Sequence, residues 1–246
     1  MRIGLLSDVH GNLPALEAVL EACSLRCDAL WCLGDTVGYG ASPNECVALV
    51  RDRCELVLAG NHDLAATGRA DFATFSSDAG RAIRWTREVL AADAETWLGS
   101  LEPNAQRGPI GLYHASPRDP VWEYVADAAA ALDALSRTPN ELVLVGHTHV
   151  PLAARLVDER LIGGQAAAGS TYDVRGGRHT LLNPGSVGQP RDGDARAAWI
   201  LLYLDDDGRP ERAIFQRVRY DIVAAQRAIE GAGLPQHLAD RLSFGM

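Results

Sequence analysis

Short apolar runs alternate with amphipathic stretches through the first 63 residues. Ile3–Leu6 reads as a buried strand, closed by the polar run Ser7-Asp8-Val9-His10-Gly11-Asn12. Asn12 then fits an N-cap with Pro14 in the first turn, and Leu13, Leu16, Val19 and Leu20 form the apolar stripe of a first helix. Ala29–Leu33 is a second strand, ending in Gly34-Asp35-Thr36-Val37-Gly38. Ser42-Pro43-Asn44-Glu45 has the form of a capping box with proline at the first helical position, so a second helix runs to about Arg53. Glu55–Ala59 is a third strand, ending in Gly60-Asn61-His62-Asp63. This βαβαβ order implies parallel strands with right-handed crossovers. It also places all three polar runs at the carboxyl edge of one sheet, where α/β proteins bind ligands.

Further along, Ser77 to about Leu101 has helical periodicity and breaks at Pro103. Ile110–Tyr113 is a short strand ending in His114, and Ala126–Leu135 is an alanine-rich helix. The apolar run Leu142–Val145 is another buried strand, ending in Gly146-His147-Thr148-His149. After Pro151 the pattern changes to short strands: Leu152–Val157, Thr180–Leu182, Ala197–Leu204 and Arg212–Val218. Asp207-Gly208 supplies a hairpin turn between the last two, and a second, mostly antiparallel sheet is the natural expectation. Residues 221–246 read as a helical tail of two short helices parted near Gly231–Pro235. With no repeat or long linker, residues 1–246 are expected to form a single domain.

Composition narrows the classes. A formal net charge of −9 without a basic run works against non-specific nucleic-acid binding or an anionic membrane surface. The five cysteines are odd in number and lack C-x-x-C spacing, which fits small buried hydrophobes in a reducing compartment. No apolar run is long enough for a bilayer, and Met1-Arg2 leads directly into the first strand, so a cytoplasmic location is expected.

The histidines change the picture most. Of seven, five (His10, His62, His114, His147 and His149) directly follow strands; His179 and His237 do not. Any one of the five is as easily a hydrogen-bonded structural histidine, and His114, beside Pro117, is the weakest. Their recurrence at one kind of position is not explained by packing. Asp8/His10 and His147/His149 have i, i+2 spacing, which puts each pair on one face of extended chain. With Asp35 and the amide oxygen of Asn61 they make a mixed N/O donor set larger than one ion requires. That set suits Mn²⁺, Fe²⁺ or Zn²⁺ rather than a closed structural zinc site. Two divalent ions would outweigh Asp8 and Asp35 and favour hydroxide and an anionic, phosphorylated small-molecule substrate.

Asp8-x-His10, Gly34-Asp35-x-x-Gly38, Gly60-Asn61-His62-Asp63, the lone His114 and Gly146-His147-x-His149 resemble, in order, the five motifs of the calcineurin-like metallophosphoesterases. Val37–Glu45, His114–Asp119, Asn183–Arg191 and the tail around Gly233-Leu234-Pro235 are similar to the small bacterial phosphodiesterase-like branch. The resemblance implies an α/β fold, a four-layer α/β/β/α sandwich of two mixed sheets flanked by helices. It implies two divalent metal ions: Asp8, His10 and His149 on the first, Asn61, His114 and His147 on the second, and Asp35 bridging. It further implies a phosphodiesterase in which a metal-bridging hydroxide attacks phosphorus in line. His62 would stabilise or protonate the leaving oxygen, and Asp63 would orient His62 and keep it charged. From the residues alone, His147 and His149 can equally serve one ion. The same site would also suit a dinucleoside polyphosphate hydrolase or a protein phosphatase, and a non-enzymatic scaffold is the reading from another class. Arg118 and Arg191 are candidates for phosphate contact, although a structural role explains each as well. Asn183–Gly188 either lines the site or makes a tight turn. The walls of the pocket are expected around residues 39–44, 64–80, 115–125 and 184–195.

Overall fold

The computed structural model describes residues 1–71, 75–176 and 179–246, so residues 72–74 of the expected 64–80 wall lie outside the described residues. The opening βαβαβ is β1 (Arg2–Leu6), α1 (Leu13–Cys23), β2 (Ala29–Cys32), α2 (Pro43–Arg53) and β3 (Leu56–Val57). There follow α3 (Asn61–Ala66), α4 (Ser77–Val89), α5 (Ala92–Gly99), β4 (Asn104–Arg107), β5 (Ile110–Tyr113), α6 (Ala128–Ser136) and β6 (Leu142–Leu144). The second half holds β7 (Leu152–Val157), β8 (Arg160–Gln165), β9 (Thr171–Asp173), β10 (Thr180–Asn183), β11 (Ala197–Leu204) and β12 (Pro210–Val218). The tail is α7 (Ile222–Gly231), α8 (Gln236–Asp240) and a 3₁₀ turn over Arg241–Ser243. Among the described residues no helix is long and apolar enough to cross a membrane.

The strands form two mixed sheets of six, ordered β3-β2-β1-β11-β12-β9 and β4-β5-β6-β10-β7-β8. Strand alternation divides each sheet into two apolar faces. Ile3, Leu5, Ile200 and Leu202 of one sheet meet Leu112, Leu142, Leu144 and Leu182 of the other in the central core. The intervening residues Leu6, Leu30, Cys32 and Leu201 face outward onto Leu16, Val19 and Leu20 of α1, while Val143 and Leu181 face Ala131 and Leu135 of α6. The result is the expected order of helix, sheet, sheet and helix. β1, β2 and β3 are parallel, as are β5, β6 and β10, so the two carboxyl edges meet at the same end of the sandwich.

Three expectations are corrected. The strands after Pro151 do not make a sheet of their own: β11 enters antiparallel beside β1 and brings β12 and β9, whereas β7, β8 and β10 complete the other sheet. β11 is buried on both faces, which suits a strand at the centre of a covered sheet. The helical stretch Ser77–Leu101 is two helices, because Leu90 and Ala91 are extended. Asn44 of α2 holds the break open: its amide donates to the Val89 carbonyl (2.9 Å) and accepts from the Ala91 N–H (2.8 Å). The Ser42 capping box does not form, since the Ser42 side chain makes no cap hydrogen bond; Pro43 alone marks the start of α2. The short elements β4, β8, β9 and α3 carry no clear apolar period in the sequence, and β4 and β8 are largely exposed.

If Asn44 fixes the break, Asn44→Ala should lower the unfolding free energy by about 1–2 kcal/mol in urea titrations, as for loss of a helix cap. An unchanged midpoint would show that packing of α4 and α5 suffices.

Candidate metal centre at the strand ends

Every polar run singled out in the sequence converges where the two carboxyl edges meet. Asp8, His10, Asp35, His147 and His149 all have positive φ, between 52° and 65°, as does Tyr39 at 56°. Such backbone is uncommon outside glycine and costs about 1–3 kcal/mol per residue. Five of these residues carry the candidate donor side chains, so the strain lies where the side chains are aimed.

The loops are locked to one another. Asp8 N donates to Gly34 O (3.0 Å), His10 N to Asp35 O (2.9 Å) and Gly146 N to His114 O (2.8 Å). Gly38 is required in this packing: its φ is +95°, and a Cβ there would run into the His62 ring. The Asn183–Gln189 segment works from behind as a brace. Asn183 Nδ2 donates to Gly146 O (2.7 Å) and Thr148 Oγ1 (3.0 Å), and Ser186 Oγ donates to Asp8 O (2.7 Å).

Two groups of donors result, each with atoms within 4.8 Å of one another: Asp8, His10, Asp35 and His149, and Asp35, His114 and His147. Asp35 belongs to both, and His147 and His149 fall in different groups. Asn61 adds its Oδ1, 3.2 Å from His114 Nε2. All of these residues are buried. His10, His114 and His149 each place Nδ1 against a backbone carbonyl: Val37 O (3.2 Å), Leu33 O (2.8 Å) and Gln189 O (2.7 Å). A carbonyl only accepts, so Nδ1 carries the proton and the Nε2 lone pair points into the cluster. His147 is turned the other way, with Nε2 against Trp122 O (3.3 Å). Each carboxylate has one oxygen tied down, Asp8 Oδ2 by His147 N (3.1 Å) and Asp35 Oδ1 by His62 N (2.9 Å). Their other oxygens, Asp8 Oδ1 and Asp35 Oδ2, are buried with no hydrogen-bond partner.

Burial dominates the electrostatics. It pushes His10 and His62 well below the ordinary imidazole range and lowers His114, with His147 falling to about 3 and His149 to about 4. Neighbouring imidazoles and the Arg191 charge add to this at His10 and His62, and the Arg191 charge alone at His149. Burial, then the charges of Asp63 and Asp8, drive Asp35 well above the usual carboxyl range. Burial alone would also raise Asp8, but attraction from His149 holds it low.

His62, at the start of α3, belongs to neither donor group, but its ring packs edge-on against His10 (centroids 4.7 Å apart) as well as against Tyr39 and Phe75, and its Nδ1 is unpartnered. Asp63 does not touch the His62 imidazole as expected. Its carboxylate accepts from the N–H groups of Thr36 (3.2 Å), Val37 (3.0 Å) and Gly60 (3.0 Å), fixing the second and third loops to each other. Burial pushes Asp63 up to about 6 against those three bonds.

The two arginines separate. Arg118 is half exposed and paired with Glu123, away from the cluster, whereas Arg191 lines the cleft above it. His179 bonds Leu135 O (3.3 Å) and His237 lies 3.6 Å from Asp78, neither among the donors. Tyr39, Phe75, Trp122, Tyr124 and Arg191 line the cleft from within the stretches expected to form its walls, whereas Arg241 of the tail lines it from outside them and was missed. Tyr124 stacks on His147 with centroids 4.0 Å apart, and no local pattern marks that contact.

Two mixed sheets with a histidine–carboxylate cluster at their joined strand ends define an α/β protein built like the metallophosphoesterases. The chain belongs to the calcineurin-like phosphoesterase superfamily, whose domain it matches over residues 1–207. It is 36% identical over 251 residues to an uncharacterised protein of Methanocaldococcus jannaschii, covering 99% of this chain and 98% of that one. The crystal structure of a metallophosphoesterase from Sphaerobacter thermophilus is similar at 41% identity and a TM-score of 0.88, covering 100% of this chain and 99% of that chain. A hypothetical protein from Pyrococcus horikoshii shares the fold at 19% identity, with a TM-score of 0.79 over 100% of this chain and 98% of that one.

If the brace behind the cluster matters, Asn183→Ala should lower the unfolding free energy by about 1–3 kcal/mol, because Gly146 O is left buried without its donor. Denaturant titration checks this; a loss below about 0.5 kcal/mol would assign Asn183 no bracing role.

Proposed function

We propose that the chain is a binuclear metal-dependent phosphoesterase, acting on phosphodiesters in preference to monoesters. The observation that carries this reading is the pair of buried donor groups that share Asp35. Asp8, His10 and His149 would hold one ion, Asn61, His114 and His147 the other, and Asp35 both.

The residues fit such ions on their own chemistry. His10 Nε2 and His149 Nε2 lie 3.0 Å apart, and the carbonyls on their Nδ1 atoms leave each with a lone pair facing the other. Two lone pairs at that distance repel unless a cation lies between their directions. Asp8 Oδ1 and Asp35 Oδ2 are bare for the same reason. Carboxylate, amide and imidazole donors without thiolate suit Mn²⁺, Fe²⁺ or Zn²⁺. When bound, two such ions supply Lewis acidity towards a phosphoryl oxygen and lower the pKa of water for in-line displacement.

The chain's own residues do the rest. The His62 ring lines the cleft beside the donors and is placed to donate a hydrogen bond to the leaving oxygen. Asp63 acts on it indirectly, by holding the loops that carry Asp35 and His62 in register. Burial keeps the imidazoles of His10, His114 and His149 neutral, and the carbonyls on Nδ1 keep them aimed, so their lone pairs need no reorganisation.

Metal-repleted protein should hold about two divalent ions per chain and hydrolyse bis-p-nitrophenyl phosphate with Mn²⁺. His62→Ala should cost about 10²–10⁴-fold in kcat, and Asp35→Asn should lower the bound metal together with the rate. Wild-type protein inert to aryl mono- and diesters with Mn²⁺, Zn²⁺ and Fe²⁺, or holding less than about one ion per chain, would overturn the reading and favour a scaffold.

A further inference from the structure

The cleft above the donor groups has a cationic edge that hydrolysis of a simple diester does not need. The cleft encloses about 310 Å³, within the range of small-molecule sites, and both Arg191 and Arg241 line it. They arrive from separate parts of the chain. Arg191 follows the brace after β10, while Arg241 opens the last turn of the tail, beyond the residues 1–207 that match the family domain.

Neither guanidinium is paired with a side-chain carboxylate among the described residues. Arg191 Nη2 reaches Tyr39 Oη (3.4 Å) and Gln189 Oε1 (2.8 Å), both uncharged, and its Nε is buried without a partner. Arg241 Nε donates to a main-chain oxygen of Met246. Among the described residues no Asp or Glu side chain lies within ion-pair distance of either, although Arg196 and Arg217 nearby are held by Asp194 and Asp192. Asp78 faces Arg241 from α4 but sits 3.6 Å from His237, and its pull on Arg241 is weaker than the push from Arg191. The Arg191 charge is felt at His10, His62 and His149 on one side and at Arg241 on the other. Two partly buried like charges without side-chain counter-ions are costly, and a bound anion removes that cost.

The position of Arg241 is built. Gln226 of α7 donates to Ala239 O (3.0 Å) and Ser243 Oγ (2.9 Å), and Gly193 N donates to Gly245 O (3.0 Å), which pins the turn between α7 and the Arg191 loop. Across the cleft stand Trp122 and Tyr124.

We propose that Arg191 and Arg241 form an anion subsite beside the scissile position, so that the substrate is a phosphoester bearing at least one further phosphate or carboxylate. This rests on the phosphoesterase reading and adds to it a substrate class. The anionic chain runs from the donor groups past Arg191 and Tyr39 to Arg241, and the aromatic wall takes the apolar part. Arginine suits this task because its planar fork grips phosphate or carboxylate through paired hydrogen bonds.

The test is calorimetric binding of inorganic tripolyphosphate to the full chain without added metal, which keeps it independent of hydrolysis. Wild type should bind, and Arg191→Gln and Arg241→Gln should each weaken binding by about tenfold or more. Arg241→Lys, which keeps the charge and the stem, should lose less than Arg241→Gln. The charge-matched Arg51→Gln on exposed α2 should stay within about twofold of wild type. No binding by wild type, or cleft variants no weaker than Arg51→Gln, would overturn the subsite. Binding lost as expected in a protein inert to every phosphoester would overturn the phosphoesterase reading and leave the subsite standing.

Discussion

Lone pairs brought together inside a protein repel, and the strand ends of this chain bring together more of them than its own protons can separate. His10, His114 and His149 are committed by backbone carbonyls to present Nε2, while Asp8 and Asp35 each present a bare oxygen. Burying such atoms costs several kcal/mol each unless a cation or proton compensates. Four of these five residues, and His147 beside them, also sit on left-handed backbone. The arrangement is tolerable because the surrounding structure is over-determined: two sheets close over a dry core, and the loops are cross-bonded by Asp63, Asn183 and Ser186. Stability built into the sandwich offsets strain concentrated at its edge.

That division explains what was legible in the sequence. Asp8, His10, Asp35, Asn61, His62, His114, His147 and His149 each follow a short apolar run, so local periodicity places them at strand ends, and the structure brings all of them to one edge. The parallel order of β1, β2 and β3 is likewise local, since the intervening helices force it. Partner choice for the later strands is not local. β11 and β12 form a hairpin readable from Asp207-Gly208, but whether that hairpin joins β1 or β10 depends on the burial of both faces of β11 in the finished fold. The break between α4 and α5 is hidden for the same reason, because Asn44 comes from a helix far away in sequence.

The walls of the cleft were legible as stretches of chain but not as individual contacts, and Arg241 not at all. Tyr124 and Trp122 lie in a loop without period, and Arg241 sits in a tail whose sequence announces only two short helices. The donors are held by strand ends and backbone carbonyls, whereas Trp122, Tyr124 and Arg241 stand on loops and tail segments. On the proposed function, chemistry would be set by the rigid edge and selectivity by the segments folded over it. Asp63 sharpens the same point: its expected contact with His62 is replaced by three backbone bonds, so its influence passes through loop position.

The central claim is that the fork His147/His149 serves two ions with Asp35 between them. Crystals of Mn²⁺-soaked protein, measured by anomalous scattering, test it directly. The account predicts two peaks, His149 with Asp8 and His10 at one, His147 with His114 and Asn61 at the other, and Asp35 reaching both. A single peak contacted by both imidazoles of the fork would contradict it.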